Sequence, residues 1–534
     1  MSLPLVILHP ATPRSARIAS RVVGMRTIGY LAVVALAASC GKKTGEDKPA
    51  PAPSGSASSV GSAGSAGSAG SAGSAELAKP AASTAVPVTS KSPDAIKAFE
   101  AGRDLTDSER GPEAVALFKK AIELDPDFAQ AHAYLGIVTQ GPPGMAELDK
   151  AKALAAKLPD AERLVIEGAH ASRSGDHAAM IAAYTKLAEL VPGDWRVLVA
   201  LGWEANDTGD PAKAIEWFGK ALKVNPELAF AQDGMAYGHA GLREWDAAIA
   251  AAKKQVELLP KQPNPQDTLG EILLMAGKFD DAEKAFQAAL GLEPRYNIAW
   301  QGVALARAYR GDWKGAYEAN EKQNAGTVDT YDSVGVIIDG AWLVYAASEL
   351  APALARLDVV DADAEAKTTP AYAFAALARA TLLQLEDKYA DAAKWFETGR
   401  TRGEGLPGST KRLVARDHAI GLLRNGALSG KAAADADKLL APLDQDAKAA
   451  GDPTSKSYAA WGHGLAAWAK TGAKDAVAEL SKCRLQLVAC RFDLATAQRK
   501  AGDAAGADAT EQQIRQSPQR EASAVFYVTE LAKK

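Results

Sequence analysis

Between residues 95 and 323 the apolar and small side chains recur with a period of about 34 residues. Prolines mark the period first. Pro126, Pro192, Pro226, Pro260 and Pro294 are 66, 34, 34 and 34 residues apart, and Pro159 lies at the midpoint of the long step. With each Pro counted as position 32, position 8 is small: Gly102, Gly168, Gly202, Ala236 and Gly270, with Gly136 one place out of step. Position 20 is Ala at 114, 214, 248, 282 and 316, and position 27 is Ala at 121, 221 and 289. Position 24 is Phe118, Tyr184, Phe218 and Phe286, and position 15 is Gly175, Gly209, Gly277 and Gly311.

The pattern predicts two helices per unit. Small residues at positions 8 and 20 let helix A and helix B approach closely, and the aromatic at 24 fills the wedge between units. Gly at 15 supplies the positive φ that ends helix A. Asp176, Asp210 and Asp312 follow it and can cap the start of helix B. Pro at 32 cannot continue a helix, so helix B stops there.

Beyond Ala325 the period blurs. It returns around 373–402 with Tyr389, Ala392, Trp395 and Phe396, fades through 403–457, and shows again at 457–482 and 487–515. A last helix over 521–531 is apolar on one face and is expected to cap the stack. Loops near 403–411 or 446–456 are candidate breaks between two lobes. The resulting division is a leader over 1–39, a linker over 40–93, a regular array over 94–325, diverged helical repeats over 326–457 and C-terminal repeats over 458–534.

A 34-residue helical period with these residues at 8, 20, 24 and 32, and Trp300 at position 4, resembles the tetratricopeptide repeat. The resemblance implies an all-α solenoid of helical hairpins. The stretch 158–294 is also similar to repeat arrays attached to some bacterial signalling proteins, in the words Pro159-Asp160-Ala161-Glu162-Arg163-Leu164 and Asn264-Pro265-Gln266-Asp267-Thr268-Leu269-Gly270. No kinase or cyclase domain accompanies it. In the tetratricopeptide family, positions 2, 5, 9, 12 and 13 of helix A line a concave groove. Carried onto this chain they give Trp203, Asn206 and Asp207, then Phe230, Asp233 and Tyr237, then Asn264, Asp267 and Glu271, then Gln301 and Tyr309. Exposed aromatics beside amides and carboxylates would suit an extended peptide or a partner helix. Trp203 and Tyr237 can equally be packing residues.

The first 40 residues read as an address. Arg14, Arg17, Arg21 and Arg26 precede an apolar run from Ile28 to Ala38, which ends in Ala37-Ala38-Ser39-Cys40. A basic stretch, a short apolar stretch and small residues form a secretory signal. The run is shorter than the roughly 20 residues a membrane span needs. Cys40 after small residues resembles a bacterial lipoprotein signal, in which Cys40 would carry the lipid. Leu36 sits one place earlier than that family's usual Leu, and Met25 would make a tidier start. Gly41 after the Cys implies, by the same resemblance, the outer membrane. From 41 onward the chain turns to Pro, Ala, Gly and Ser, with Gly-Ser-Ala repeating from Gly61 to Ala75. Such a segment cannot offset its own ordering entropy and is expected to be a disordered tether. At about 5–6 Å × √n it reaches on the order of 40 Å.

Composition narrows the function further. With 61 Lys+Arg against 65 Asp+Glu the formal charge is −4, which excludes a globally basic nucleic-acid binder. Residues 1–40 carry +4 and 41–93 carry +2, so the body holds about −10, an acidic tilt that suits a basic or neutral ligand. Three cysteines exclude a disulfide framework. Cys483 and Cys490 are either a bridge stapling a helix–helix turn in an exported protein or two buried thiols. Gly403-Glu404-Gly405-Leu406-Pro407-Gly408 spells a dinucleotide fingerprint, but a helix precedes it and Pro interrupts it. Ser409-Thr410-Lys411 reverses the order a phosphate-binding loop needs. His170 and His177 are separated by the turn at Gly175, so no metal site or cofactor is expected.

These features lead to the expectation of an outer-membrane lipoprotein whose solenoid is a non-enzymatic scaffold for protein partners. A dedicated outer-membrane assembly or secretion factor is the more specific alternative. An enzyme with its site hidden in 326–457 is the remote one.

Overall fold

The computed structural model describes residues 85–516 and Tyr527, with short breaks at 108–110, 140, 175, 328–329, 348–349, 407, 434 and 451–452. The expected leader, Cys40, the tether up to residue 84 and all of the final helix except Tyr527 lie outside the described residues. Every regular element among the described residues is helical.

The regular array gives α1 (Pro93–Asp107) and α2 (Gly111–Leu124), α3 (Ala129–Val138) and α4 (Gly141–Leu154), then α5 (Asp160–Ser174) and α6 (His177–Leu190). It continues with α7 (Trp195–Thr208) and α8 (Pro211–Val224), α9 (Ala229–Gly241) and α10 (Trp245–Leu258), α11 (Pro263–Met275) and α12 (Phe279–Leu292), and α13 (Ile298–Tyr309) and α14 (Trp313–Gly326). The blurred region also consists of hairpins: α15 (Thr330–Ala347) and α16 (Leu350–Ala362), α17 (Ala371–Leu385) and α18 (Tyr389–Gly403), and α19 (Gly408–Ser429) and α20 (Ala436–Ala450). Last come α21 (Pro453–Thr471) with α22 (Ala473–Leu480) and α23 (Val488–Lys500) with α24 (Ala504–Arg515).

The punctuation acts as its chemistry requires. Asp176, Asp210 and Asp312 each cap an even-numbered helix by accepting the amide three residues on, from Ala179, Lys213 and Gly315. Gly209, Gly277 and Gly311 adopt φ of 82°, 74° and 80°. Where the sequence lacks Gly at this turn, Arg243 and Asp387 take the same conformation at φ 62° and 56°.

Odd-numbered helices pack closely on their own even partners and, along most of the stack, on the next odd helix. Among the described residues no two even-numbered helices pack as closely. The odd helices therefore line the inside of the curve. The 22-residue α19 departs from this order, packing more closely on α21 than on α20. Curvature brings distant loops together. Arg243, between α9 and α10, donates from Nη2 to the carbonyl of Gln516 at 2.7 Å. Arg484, between α22 and α23, lays its guanidinium against Gly209 at the end of α7. Each contact joins loops seven hairpins apart, so both report one superhelical turn stacked on the next.

Two local features complete the architecture. Cys483 and Cys490 form a disulfide across the α22–α23 turn, with Cα atoms 6.4 Å apart. Ahead of α1, residues 85–92 run without helix across the loops that lead into α3 and α7 and the first turn of α5. This segment falls within the expected linker, 40–93. Val86 and Val88 instead pack on the apolar cluster of the first hairpins.

Candidate partner-binding groove

The inner face of α7 to α15 is built by side chains that tie each odd helix to the next. Asn206 of α7 donates from Nδ2 to the Gly234 carbonyl of α9 at 3.0 Å. Asp233 of α9 accepts from the Thr268 hydroxyl of α11 at 3.0 Å. The Tyr237 hydroxyl of α9 donates to Glu271 of α11. Asn264 accepts from the Tyr296 hydroxyl, just before α13, at 3.3 Å. Gln301 of α13 donates to Asp339 of α15 at 2.8 Å. The hydrogen bonds make a polar ladder along the concave side.

Several groove residues inferred from the repeat therefore need correction. Trp203 is only 6% exposed. Its ring meets Phe218 edge-on at 5.6 Å and Tyr237 at 6.0 Å. It fills the wedge between hairpins and is not an open aromatic. Phe230 is likewise buried, and Asp233 and Asp267 are buried carboxylates. The physical reason is curvature: the next odd helix leans over the inner positions of the one before. Tyr309 stacks on Phe279, the first residue of α12, with centroids 5.1 Å apart and planes 6° from parallel. Asn206, Asp207, Tyr237, Asn264, Glu271 and Gln301 keep partial exposure. Asp267, Glu271 and Gln301 share a notch with Leu274 and Leu305, floored by Phe286. Its volume is ≈ 20 Å³, about the space of one water. This face can present hydrogen-bonding edges to an extended chain, and the notch is too small to enclose a substrate.

Two arrangements were missed by the sequence reading. One is a buried polar network on the odd helices of the second half. Arg424 of α19 donates from Nε to both Asp493 oxygens at 2.9 Å and from Nη1 to Gln384 of α17 at 3.1 Å. Trp461 of α21 donates to the same carboxylate at 3.0 Å. Burial alone would lower the Arg424 pKa, but the Asp493 carboxylate holds it above the ordinary arginine value. The Tyr527 ring lies 6.0 Å from the Arg424 guanidinium carbon and 5.0 Å from the Phe492 ring. Residues 69 apart gave no local signal. The other is the docked segment 85–92.

The decoy motifs resolve into ordinary structure. Gly403 ends α18 and Gly408 opens α19, with no strand before the glycines. His170 faces Asp149 and His177 faces Glu204, so the two histidines take separate partners. Among the described residues no three His, Cys, Asp or Glu gather to hold a metal ion. No described helix is long and apolar enough to cross a membrane.

Comparison with known proteins agrees with the repeat period. A family profile described as tetratricopeptide repeat matches residues 196–228. The small glutamine-rich tetratricopeptide repeat-containing protein 2 of Mycosarcoma maydis is 28% identical over 110 residues. That alignment takes in 21% of this chain, and the chain spans about a third (31%) of the length of that relative. Among solved structures, a tetratricopeptide repeat protein from Parabacteroides merdae is 15% identical and covers 48% of this chain and 98% of its own, with a TM-score of 0.36. MamA is 25% identical over 30% of this chain and 93% of its own, with a TM-score of 0.27. The profile falls on the unit whose Gly202 and Phe218 close the α7–α8 hairpin, and the same closure recurs on either side of it: the chain is a tetratricopeptide-repeat protein.

Proposed function

We propose that this protein is a membrane-tethered scaffold that binds a protein partner along the inner face of its odd helices, without catalysis. The observation that carries the reading is the continuous ladder of polar and aromatic groups on α7 to α15, which joins helices and leaves hydrogen-bonding edges partly exposed. Extended chains bind such surfaces through distributed contacts, with a few anchors supplying most of the affinity. The tether belongs to the same proposal. The basic and apolar leader, Cys40 and the Gly/Ser/Ala stretch support an outer-membrane lipoprotein that holds the solenoid away from the head groups.

The test is a crosslinking pull-down from intact envelope. Wild type is compared with Cys40→Ala, and with a groove variant that spares the core, Asp207→Lys with Glu271→Lys. The expected result is membrane partition and a defined partner set for wild type. Cys40→Ala should lose the partition, and the groove variant should lose the partners while keeping its helicity. Unchanged capture by the groove variant would sink the groove assignment. Soluble wild type would sink the anchor.

A further inference from the structure

Residues 85–92 meet a site made for an extended peptide. The Val86 amide donates to Asp194 at 3.2 Å, the Thr89 amide to Glu162 at 3.0 Å, and the Lys91 amide to Asp125 at 2.9 Å. Gln130 returns a hydrogen bond to the Pro87 carbonyl at 2.6 Å. The hydroxyls of Thr89 and Ser90 add contacts to Glu162 and Asp125 at 2.5 Å each. Beneath the segment the receiving side chains are almost sealed: Glu162 is 0% exposed, Gln130 2%, and Asp125 and Asp194 5%. Buried carboxylates need donors, and the segment's backbone supplies them at three successive hairpins. Val86 and Val88 add apolar burial between the polar contacts.

All three carboxylates sit at the edge where even helices hand over to odd ones. The second superhelical turn touches the first at the opposite edge, at Gly209 and Arg243. Helix α7 shows both ends at once. Asp194 caps its start and holds Val86, while Gly209 caps its end and meets Arg484. Residues 85 and 86 therefore lie at the axial end of the superhelix that the second turn does not cover.

We propose that residues 85–92 are a strap that clamps the tether to this edge, so that the Asp125–Glu162–Asp194 edge faces the anchoring surface and the C-terminal turn stands away from it. The orientation rests on the tethered reading; the strap does not. Without the strap the tether would emerge at α1 instead of the α7 edge and gain eight residues of flexible chain, on the order of 16 Å at about 5–6 Å × √n.

The experiment uses the full lipidated chain. With Cys40 lipidated and Cys483 bonded to Cys490, one introduced cysteine is the only free thiol. A donor dye is placed at Glu227→Cys, on the strap-side edge, or at Lys474→Cys, on the far edge of the second turn. Both positions are exposed. Vesicles carry an acceptor dye on their head groups. Energy transfer should be strong from 227 and several-fold weaker from 474. Thr89→Pro with Lys91→Pro removes two strap donors and should bring the two signals together. Equal transfer from both sites in the parent chain overturns the orientation. Failure to bind vesicles overturns the tethered reading and the orientation with it. The strap is decided separately by hydrogen exchange on the protein in solution. The Val86, Thr89 and Lys91 amides should exchange at least tenfold more slowly in the parent than the Val86 amide does in the double-proline variant, and free exchange in the parent overturns the strap.

Discussion

Phe218 sits in a slot between Gly202 of its own hairpin and Gly234 of the next, and a Cβ on either glycine would overlap the ring. Phe286 is held the same way by Gly270 and Gly302. The small-then-aromatic pattern is thus a packing rule applied twice, within and between units. It makes the glycines separable by experiment. Gly234→Ala should cost about 1–3 kcal/mol through overpacking. Gly277→Ala, at φ 74° with open space around the Cβ, should cost about 1 kcal/mol through backbone strain alone. Gly219→Ala, inside α8 with no neighbour near the Cβ, should stabilise by up to about 1 kcal/mol. Denaturant midpoints of the three variants give the check, and equal shifts would refute the distinction. Trp203→Ala belongs with the core substitutions, at about 3–5 kcal/mol, so it tests stability rather than recognition.

At the scale of elements, neighbouring helices are joined by histidine–carboxylate pairs. His132 of α3 meets Glu147 of α4 at 2.6 Å, and His418 of α19 meets Glu397 of α18 at 2.8 Å. Burial pushes the Glu147 carboxyl up, but hydrogen bonds from His132 and Lys150 outweigh it and hold the pKa below the usual range. A carboxyl depressed in the folded state stabilises it above the ordinary Glu pKa, about 4.3. That contribution is lost as pH falls through the folded value. Stability should therefore fall as pH drops below about 4.3, and Glu147→Gln should flatten part of the fall; an unchanged slope in thermal melts on the acid side would exclude the pair as its source. The elements were legible where Pro and Gly keep the period, from α1 to α14. They blurred where α15 and α19 lengthen to 18 and 22 residues and the frame slides. The groove was legible as a face and not as a surface, because the burial of Trp203 and Asp233 comes from the curvature of the next hairpin. The strap was illegible for a related reason. Pro87, Thr89, Ser90 and Ser92 read as linker, while the carboxylates that order them lie 34 to 108 residues away.

For the whole molecule, the question is what sets the superhelical pitch. Deep inside, Arg424 and Asp493 tie α19 to α23, with Trp461 and Gln384 bringing in α21 and α17. Removing one partner of a buried pair strands the other charge. Asp493→Ala should therefore cost about 3–5 kcal/mol and loosen the second half as a unit, read as lost amide protection across α17–α24. The contacts between turns are of another kind. Arg243 reaches the Gln516 carbonyl at the exposed surface, and Arg484 lies on Gly209 while bonding Thr454 at 2.9 Å. Exposed contacts of this sort add little stability, yet they occur where the turns meet. Arg243→Glu with Arg484→Glu should accordingly leave helicity and melting temperature nearly unchanged and enlarge the radius of gyration in small-angle scattering. If the scattering curve does not move, the pitch is set by packing of one hairpin on the next, and the arginines only record a closeness that the core imposes. If it expands, the stacked turns are latched at their edges, and the inner face can widen to admit a partner without unfolding any helix.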